Sequence, residues 1–208
     1  MSSSKSAGKL FVFAAPSGAG KTTLVHAIMT KHPKLRFSIS YTTREPRKNE
    51  ANEVDYIFVS EDEFMRLRDE GELLEYAQVF DNYYATSRRQ VEKHLANNRS
   101  VVLEIDWQGA RQVRKSMPEC VTIFILPPSL TELERRLRDR RTDKPEIIER
   151  RLRDARSDMA HWTEFDHVII NDKLDNAVAA LEDILRGDGE ASSTRNPELR
   201  RAVQRIVG

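Results

Sequence analysis

Eight residues near the start of the chain, Ala15-Pro16-Ser17-Gly18-Ala19-Gly20-Lys21-Thr22, have the types and order needed to hold a chain of phosphates. They match G-x-x-x-x-G-K-[ST], except that Ala15 stands where the pattern has its first glycine. Such chemistry needs a tight loop whose backbone N–H groups turn inward onto phosphate oxygens. Gly18 and Gly20 allow the dihedrals, and a helix beginning near Thr22 adds its positive dipole end. Lys21 would reach the β- and γ-phosphates, and the Thr22 hydroxyl would serve a Mg²⁺ ion carried by the nucleotide. A nucleoside triphosphate is the expected ligand. An ordinary glycine-rich turn with an exposed lysine is the plainer alternative, and the strand, turn and helix context weighs against it.

Two further constellations are basic. In Ser40-Tyr41-Thr42-Thr43-Arg44-Glu45-Pro46-Arg47, followed by Asp55-Tyr56-Ile57-Phe58, two arginines and a tyrosine could clamp a phosphate through paired, permanently charged donors. A solvated basic turn fits the same residues. Arg136 and Arg140 lie four apart on one helical face, with Arg151 across a turn. Like charges at that spacing cost a few tenths of a kcal/mol unless an anion sits between them. Glu132, Glu134 and Asp139 leave a charge-rich solvated helix pair as the other reading.

These residues need elements to position them. Continuous apolar runs at Lys9 to Ala15, Val101 to Asp106, Cys120 to Leu126 and His167 to Asn171 read as buried strands. Helical patterns separate them: one from near Thr22 to before Pro33, one from a Ser87/Gln90 capping box to Asn97, then Gln108 to Ser116 and Asp175 to Arg186. Alternation of this kind predicts an α/β fold with a mostly parallel sheet flanked by helices. Between Arg36 and Thr86 the texture changes to short segments, Ser38 to Thr42, Val54 to Val59 and Glu72 to Phe80, with a helix at Glu61 to Glu70, which predicts a small, partly antiparallel lobe. Capping boxes at Ser129/Glu132 and Asp143/Glu146 flank a turn at Arg140 to Pro145 and predict an arginine-rich helical hairpin. After a linker-like stretch from Gly187 to Thr194, Asn196-Pro197-Glu198 opens a short helix with Leu199, Ala202, Val203 and Ile206 on one stripe. A helix this short is marginal alone, so docking on its own core or on a second copy of the chain is expected.

Composition narrows the function further. With 208 residues, 39% of them hydrophobic, the chain can bury a sizeable core, and 34 Lys plus Arg against 33 Asp plus Glu leaves a net charge of +1. That balance gives no net pull toward nucleic acid or acidic membranes, so any basic chemistry is local. The lone Cys120, in an apolar run, excludes an internal disulfide framework and a cysteine-cluster metal site and reads as core. No apolar stretch approaches bilayer length, and the run after the polar, Ser-rich first nine residues is shorter than a secretory h-region. A soluble, cytoplasmic protein is the expectation.

The order of motifs is specific: the phosphate loop, S-x-T-T-R-x-x-R from Ser40, D-Y-x-F from Asp55, Asn82-Tyr83-Tyr84-Ala85-Thr86, and Asp106-Trp107-Gln108-Gly109. Over about residues 9 to 186 this resembles the guanylate kinase family. The resemblance implies a P-loop nucleoside monophosphate kinase fold: a core at 1–35, 87–128 and 157–186, a GMP-binding lobe at 36–86 and a lid at 129–156, followed by the tail at 187–208. It implies transfer of the γ-phosphoryl group of ATP to GMP, and to dGMP, with Mg²⁺. By the same likeness, Ala15 to Gly20, Lys21, Thr22, Thr23 and Asn171, which matches a position near adenine, would bind ATP; for Asn171 an N-cap role is equally open. Ser40, Arg44, Arg47, Tyr56 and Tyr84 would hold the GMP phosphate, while Glu75, Thr86 and Asp106 would read guanine. Lys21, Arg44, Arg136, Arg140 and Arg151 would be catalytic. Chemistry agrees for Glu75, because an acceptor-only carboxylate suits the N1–H and N2–H₂ donors of guanine and opposes adenine N1. The Thr86 hydroxyl could donate to O6. Without the likeness, Glu75 reads as a solvent-facing strand carboxylate. Departures from the family pattern, Asn49, Glu53, Ala85 and Arg141 at glycine positions, bear on loop geometry. Two rivals remain: a non-catalytic interaction module of the same fold, and a kinase for another monophosphate.

Overall fold

The computed structural model describes residues 7–79, 81–139 and 145–208. Arg140, Arg141, Asp143 and Phe80 therefore lie outside the described residues, as does the hairpin turn built around them. The strands are β1 (Leu10–Ala14), β2 (Arg36–Phe37), β3 (Ser40–Thr42), β4 (Ile57–Phe58), β5 (Leu73–Val79), β6 (Asn82–Ser87), β7 (Val101–Glu104), β8 (Val121–Leu126) and β9 (His167–Ile170). The helices are α1 (Lys21–Lys31), α2 (Glu61–Asp69), α3 (Arg88–Ala96), α4 (Trp107–Ser116), α5 (Leu130–Asp139), α6 (Pro145–Met159), α7 (Leu174–Arg186) and α8 (Pro197–Val207). Hydrogen bonding orders five strands β2-β7-β1-β8-β9 and four others β4-β3-β6-β5. The α/β architecture expected from the apolar runs is the one observed.

By contacts the chain divides into two compact units, Met1–Val12 with Pro33–Cys120, and Phe13–His32 with Val121–Gly208. In the first, β2 runs parallel to β7, with Arg36 opposite Val101. Its small sheet is mixed: β3 is parallel to β4 and antiparallel to β6, which is antiparallel to β5. Strand β6, which the short-segment reading did not include, lies between β3 and β5 and is the element on which the sheet is built. Phe64, Leu67, Leu73 and Ala85 form the core beneath it. Of the stretch Val54 to Val59, only Ile57–Phe58 is a strand. The Asp55 carboxylate accepts the Ala51 N–H at 2.8 Å, and that local bond turns the chain before an extended ladder can begin. Glu53 has φ +63°, so at this glycine-typical position the loop does use the left-handed region, with a side chain in place of glycine.

In the second unit, β8 and β9 pair in parallel, Ile123 opposite His167 through Leu126 opposite Ile170. Residues Ile123 to Leu126 are fully buried, as a strand covered on both faces requires. Helix α5 starts where Ser129 Oγ accepts the Glu132 N–H at 3.1 Å, as its capping box predicts. Leu133, Leu137, Ile148 and Ala155 join α5 to α6 through a buried seam. Helix α7 ends at Gly187, with φ +95°. The following residues, expected as a linker, form a 3-10 turn (Gly189–Ser192), and Ser192 within it and Thr194 after it are buried. The reason is a close approach: a Cβ on Gly189 would stand 2.8 Å from Ile184 and 2.9 Å from His167. Asn196 caps α8 by accepting the Glu198 N–H at 2.9 Å, and Val203 on the predicted stripe is fully buried.

Candidate functional site

Two groups of polar residues stand out, one in each unit. In the second unit the turn from β1 to α1 carries Gly18 at φ +88° and Gly20 at φ +89°, the left-handed region where glycine is favoured. Ala15 is not among the non-glycine residues with positive φ, so the backbone at this position does not call for a glycine. Ala19 is buried and its N–H bonds the Pro16 carbonyl at 3.2 Å, closing the turn. Lys21 opens α1 half-buried, with Thr22 and Thr23 exposed on its first turn and Ser17 exposed in the loop. Beside the loop is a cavity of about 410 Å³ lined by Gly18, Gly20, Thr23, Arg136, Asp139 and Asn171, among others. Arg136 reaches the loop: its Nη1 donates to Ala19 O at 3.3 Å, its Nη2 to Asn171 O at 3.0 Å and its Nε to Glu132 at 2.8 Å. Hydrogen bonds from Arg135 and then Arg136 push the Glu132 carboxyl down to about 2, so it stays ionised through the physiological range. Arg151 lies half-buried on α6.

In the first unit, strand register assembles the other group. Ser40 on β3 is opposite Thr86 on β6, and Thr86 is opposite Glu75 on β5, so three residues far apart in sequence form one row. The row exists because of a bulge. Leu73 pairs with Ser87 but Glu75 pairs with Thr86, so the extra residue, Leu74, shifts the phase of β5. Glu75 and Thr86 are 4% and 1% exposed, and Thr86 Oγ1 donates to Glu75 Oε1 at 2.7 Å. That proton, expected to face a ligand carbonyl, is spent on the carboxylate. Asp106 caps α4, accepting the Gly109 N–H at 2.7 Å. Gly109 touches Glu75 as well: a Cβ there would lie 2.4 Å from Glu75 Oε2. Buried carboxylate, helix cap and glycine thus meet at one place.

The basic segment beside this row is more ordered than a solvated turn. Arg44 Nη2 donates to both oxygens of Glu50, at 2.8 and 2.9 Å, and Nη1 donates to Glu45 O at 2.7 Å. Its guanidinium carbon stands 5.4 Å from the centre of the Tyr56 ring, and Tyr56 meets Tyr84 edge to face at 6.0 Å. Burial alone would lower the Arg44 pKa, but its bonds to Glu50 and Tyr84 outweigh this and raise it. Burial, reinforced by Tyr84, lifts the Tyr56 phenol above its ordinary range, so it remains a neutral donor. Arg47 differs, with a side chain 74% exposed: its backbone N–H donates to Glu50 at 2.8 Å, while its guanidinium stands off at 3.9 Å from the same carboxylate. Glu50 is the residue that motif reasoning passed over. The available signal was its spacing, three and six residues after the two arginines.

Among the described residues no cluster of three or more His, Cys, Asp or Glu could cage a metal, and no helix is long and apolar enough to cross a membrane. The guanylate kinase family profile matches residues 7–188. The chain belongs to the guanylate kinase family. It is 51% identical over 185 residues to a guanylate kinase of Hydrogenovibrio crunogenus, covering 89% of this chain and 90% of that one. With the guanylate kinase of Alkalilimnicola ehrlichii it shares 45% identity over 201 residues, 97% of this chain and 99% of the relative. The crystal structure of guanylate kinase from Anaplasma phagocytophilum superposes with a TM-score of 0.73 at 32% identity, covering 96% of this chain and 95% of that chain. Guanylate kinases are ATP:GMP phosphotransferases, and this family member is an enzyme of that type.

Proposed function

We propose that this guanylate kinase family member moves the γ-phosphoryl group of ATP to GMP, giving ADP and GDP, with the donor held by the second unit and the acceptor by the first. The single observation that carries the assignment of the acceptor is the buried Glu75, aligned by register with Thr86 and Ser40. A buried carboxylate facing two N–H donors of guanine is satisfied, whereas adenine would set a lone pair against it. Thr86 holds one oxygen of that carboxylate and so orients it. Tyr56, Tyr84, Arg44 and the exposed Arg47 supply donors for the phosphate of GMP, with Glu50 holding both arginines in place. Asp106 completes the guanine end while capping α4.

For the donor, the loop from Ala15 to Gly20 offers N–H groups to the phosphates, Lys21 places a cation on the transferring group, and Arg136, Arg140 and Arg151 add positive charge. The donor set suits Mg²⁺ bound with the nucleotide: Thr22 offers one exposed hydroxyl, and such ions keep phosphate oxygens and waters for most of their shell. When bound, Mg²⁺ neutralises charge on the β- and γ-oxygens. In-line transfer then demands positioning rather than covalent chemistry from the protein. The buried Cys120 thiol suits a reducing cytoplasm. A coupled assay of ADP release with ATP and GMP, dGMP, AMP, UMP or dTMP tests the proposal. Turnover is expected with GMP and dGMP; equal rates across the five monophosphates, or none with GMP, would overturn it.

A further inference from the structure

We propose that Asn171 is a positioning residue for the phosphate-binding loop, holding the Ala19–Gly20 peptide in the orientation that a triphosphate requires whatever base the nucleotide carries. The inference rests on reading that loop as the donor site. Asn171 directly follows β9, and its backbone N–H bonds Leu126 O at 2.8 Å, so it extends the β8–β9 ladder and is fixed to a rigid element. Its side chain is buried, 6% exposed, and its Nδ2 donates to Ala19 O at 2.8 Å. The orientation of the amide follows from chemistry, since a backbone carbonyl can only accept. Arg136 reaches the same carbonyl at 3.3 Å and also bonds the Asn171 backbone oxygen at 3.0 Å, so carbonyl, asparagine and arginine form one frame.

A trans peptide sets its oxygen and its N–H on opposite sides, and the described chain has no cis bond. Turning Ala19 O toward Asn171 therefore turns the Gly20 N–H away from it, leaving that donor for the loop's ligand. The second glycine is matched to the asparagine: a Cβ at Gly20 would stand 2.5 Å from Asn171 Nδ2. Reading adenine with both ends of a side-chain amide needs its NH₂ group. Here one of that group's two donors is already committed to the loop.

The test uses full-length Asn171→Asp and Asn171→Ala, whose folding is checked by melting. The aspartate keeps the size of the side chain but sets an oxygen against Ala19 O; the alanine removes the donor without adding charge. ATP and ITP serve as alternative donors, and magnesium tripolyphosphate, which has no base, as an inhibitor competing with ATP. The expected result is a loss in kcat/KM of about tenfold or more. It falls equally on ATP and ITP, with tripolyphosphate weakened to match and KM for GMP unchanged. A collapse of the ATP to ITP ratio with tripolyphosphate inhibition intact would overturn the proposal and make Asn171 a reader of adenine; an unchanged enzyme would overturn it too. Lys21→Ala separates this from failure of the underlying reading. If Lys21→Ala leaves tripolyphosphate inhibition and turnover unchanged, the loop is not the donor site. If it lowers turnover by roughly 10² or more while both Asn171 variants behave as the parent, only the role of Asn171 falls.

Discussion

Arg44 shows how much a residue's partners modify what its type suggests. Two arginines near a tyrosine read as a phosphate clamp, yet Arg44 spends Nη2 on Glu50 and Nη1 on Glu45 O, while the Arg47 side chain is 74% exposed. Glu50 therefore holds the pair in shape and partly masks its charge. Its carboxyl lies below the ordinary range, first through the Arg47 N–H and then through Arg44, so it keeps its charge to lower pH than an ordinary carboxylate. Glu50→Gln should make inorganic phosphate a severalfold stronger competitor of GMP, because a bare anion gains most from the unmasked charge. Inhibition constants for phosphate against GMP check this, and an unchanged or weaker constant would show that Glu50 does not mask the clamp. Glu75→Gln acts at the other end. An amide can accept from only one of guanine's two donors, so GMP should weaken by about 1 to 3 kcal/mol. The Michaelis constant for ATP should not move, and a parental constant for GMP would place guanine elsewhere.

At the level of elements, the first turns of α4 and the bulge of β5 are built for each other. Glycine inside a helix costs about 1 kcal/mol relative to alanine. Gly109 is retained at that cost because a Cβ would stand 2.4 Å from Glu75 Oε2 and 3.3 Å from Ile105. Contacts under 3 Å with a buried carboxylate cannot be absorbed by solvent, so the clash outweighs the gain in helix propensity. Gly109→Ala is expected to raise KM for GMP at least fivefold with KM for ATP unchanged, and melting should not rise despite the better helix former. Higher melting with parental kinetics would show that Glu75 moves aside freely. The same proximity explains why D-x-Q-G is legible as a motif in the chain while its meaning is not. Asp106 and Gly109 are three apart because one caps the other's N–H, and the need for a small residue arises from the neighbouring strand β5.

Beyond single elements, the second unit is closed by its own C-terminus. Thr194 Oγ1 donates to Phe165 O at 2.7 Å, and the Arg200 guanidinium carbon lies 5.1 Å from the centre of the Trp162 ring. Val203 is fully buried, and Trp162 and Phe165 are each 4% exposed. Truncation after Gly187 uncovers these aromatics. Burying one large apolar side chain is worth roughly 1.5–3 kcal/mol, so a loss of at least about 2 kcal/mol is expected. At about 2–4 °C per kcal/mol for a chain of this size, melting should drop by about 4 °C or more. Calorimetry of the truncated and full chains measures it, and identical transitions would mean that the tail contributes nothing. The tail's marginal helix and polar approach are readable in the sequence; that residues after Gly187 pack as a turn is not, because their burial depends on Ile184 and His167 rather than on their own types.

The sequence by itself determined what local chemistry and periodicity encode: the phosphate loop, the buried parallel strands, the capped helices and a basic pair beside tyrosines. Each of these depends on neighbours within a few positions, where residue type limits dihedrals and hydrogen bonds. Tertiary structure alone decided which of those groups are spent and which are offered. One inserted residue at Leu74 sets Glu75 opposite Thr86, and strand alternation carries no mark of such a phase shift until the partner strand is in place. Likewise the Asn171 side chain ends on Ala19 O, 152 positions away, because a buried amide must find an acceptor and the end of β9 brings it to that carbonyl.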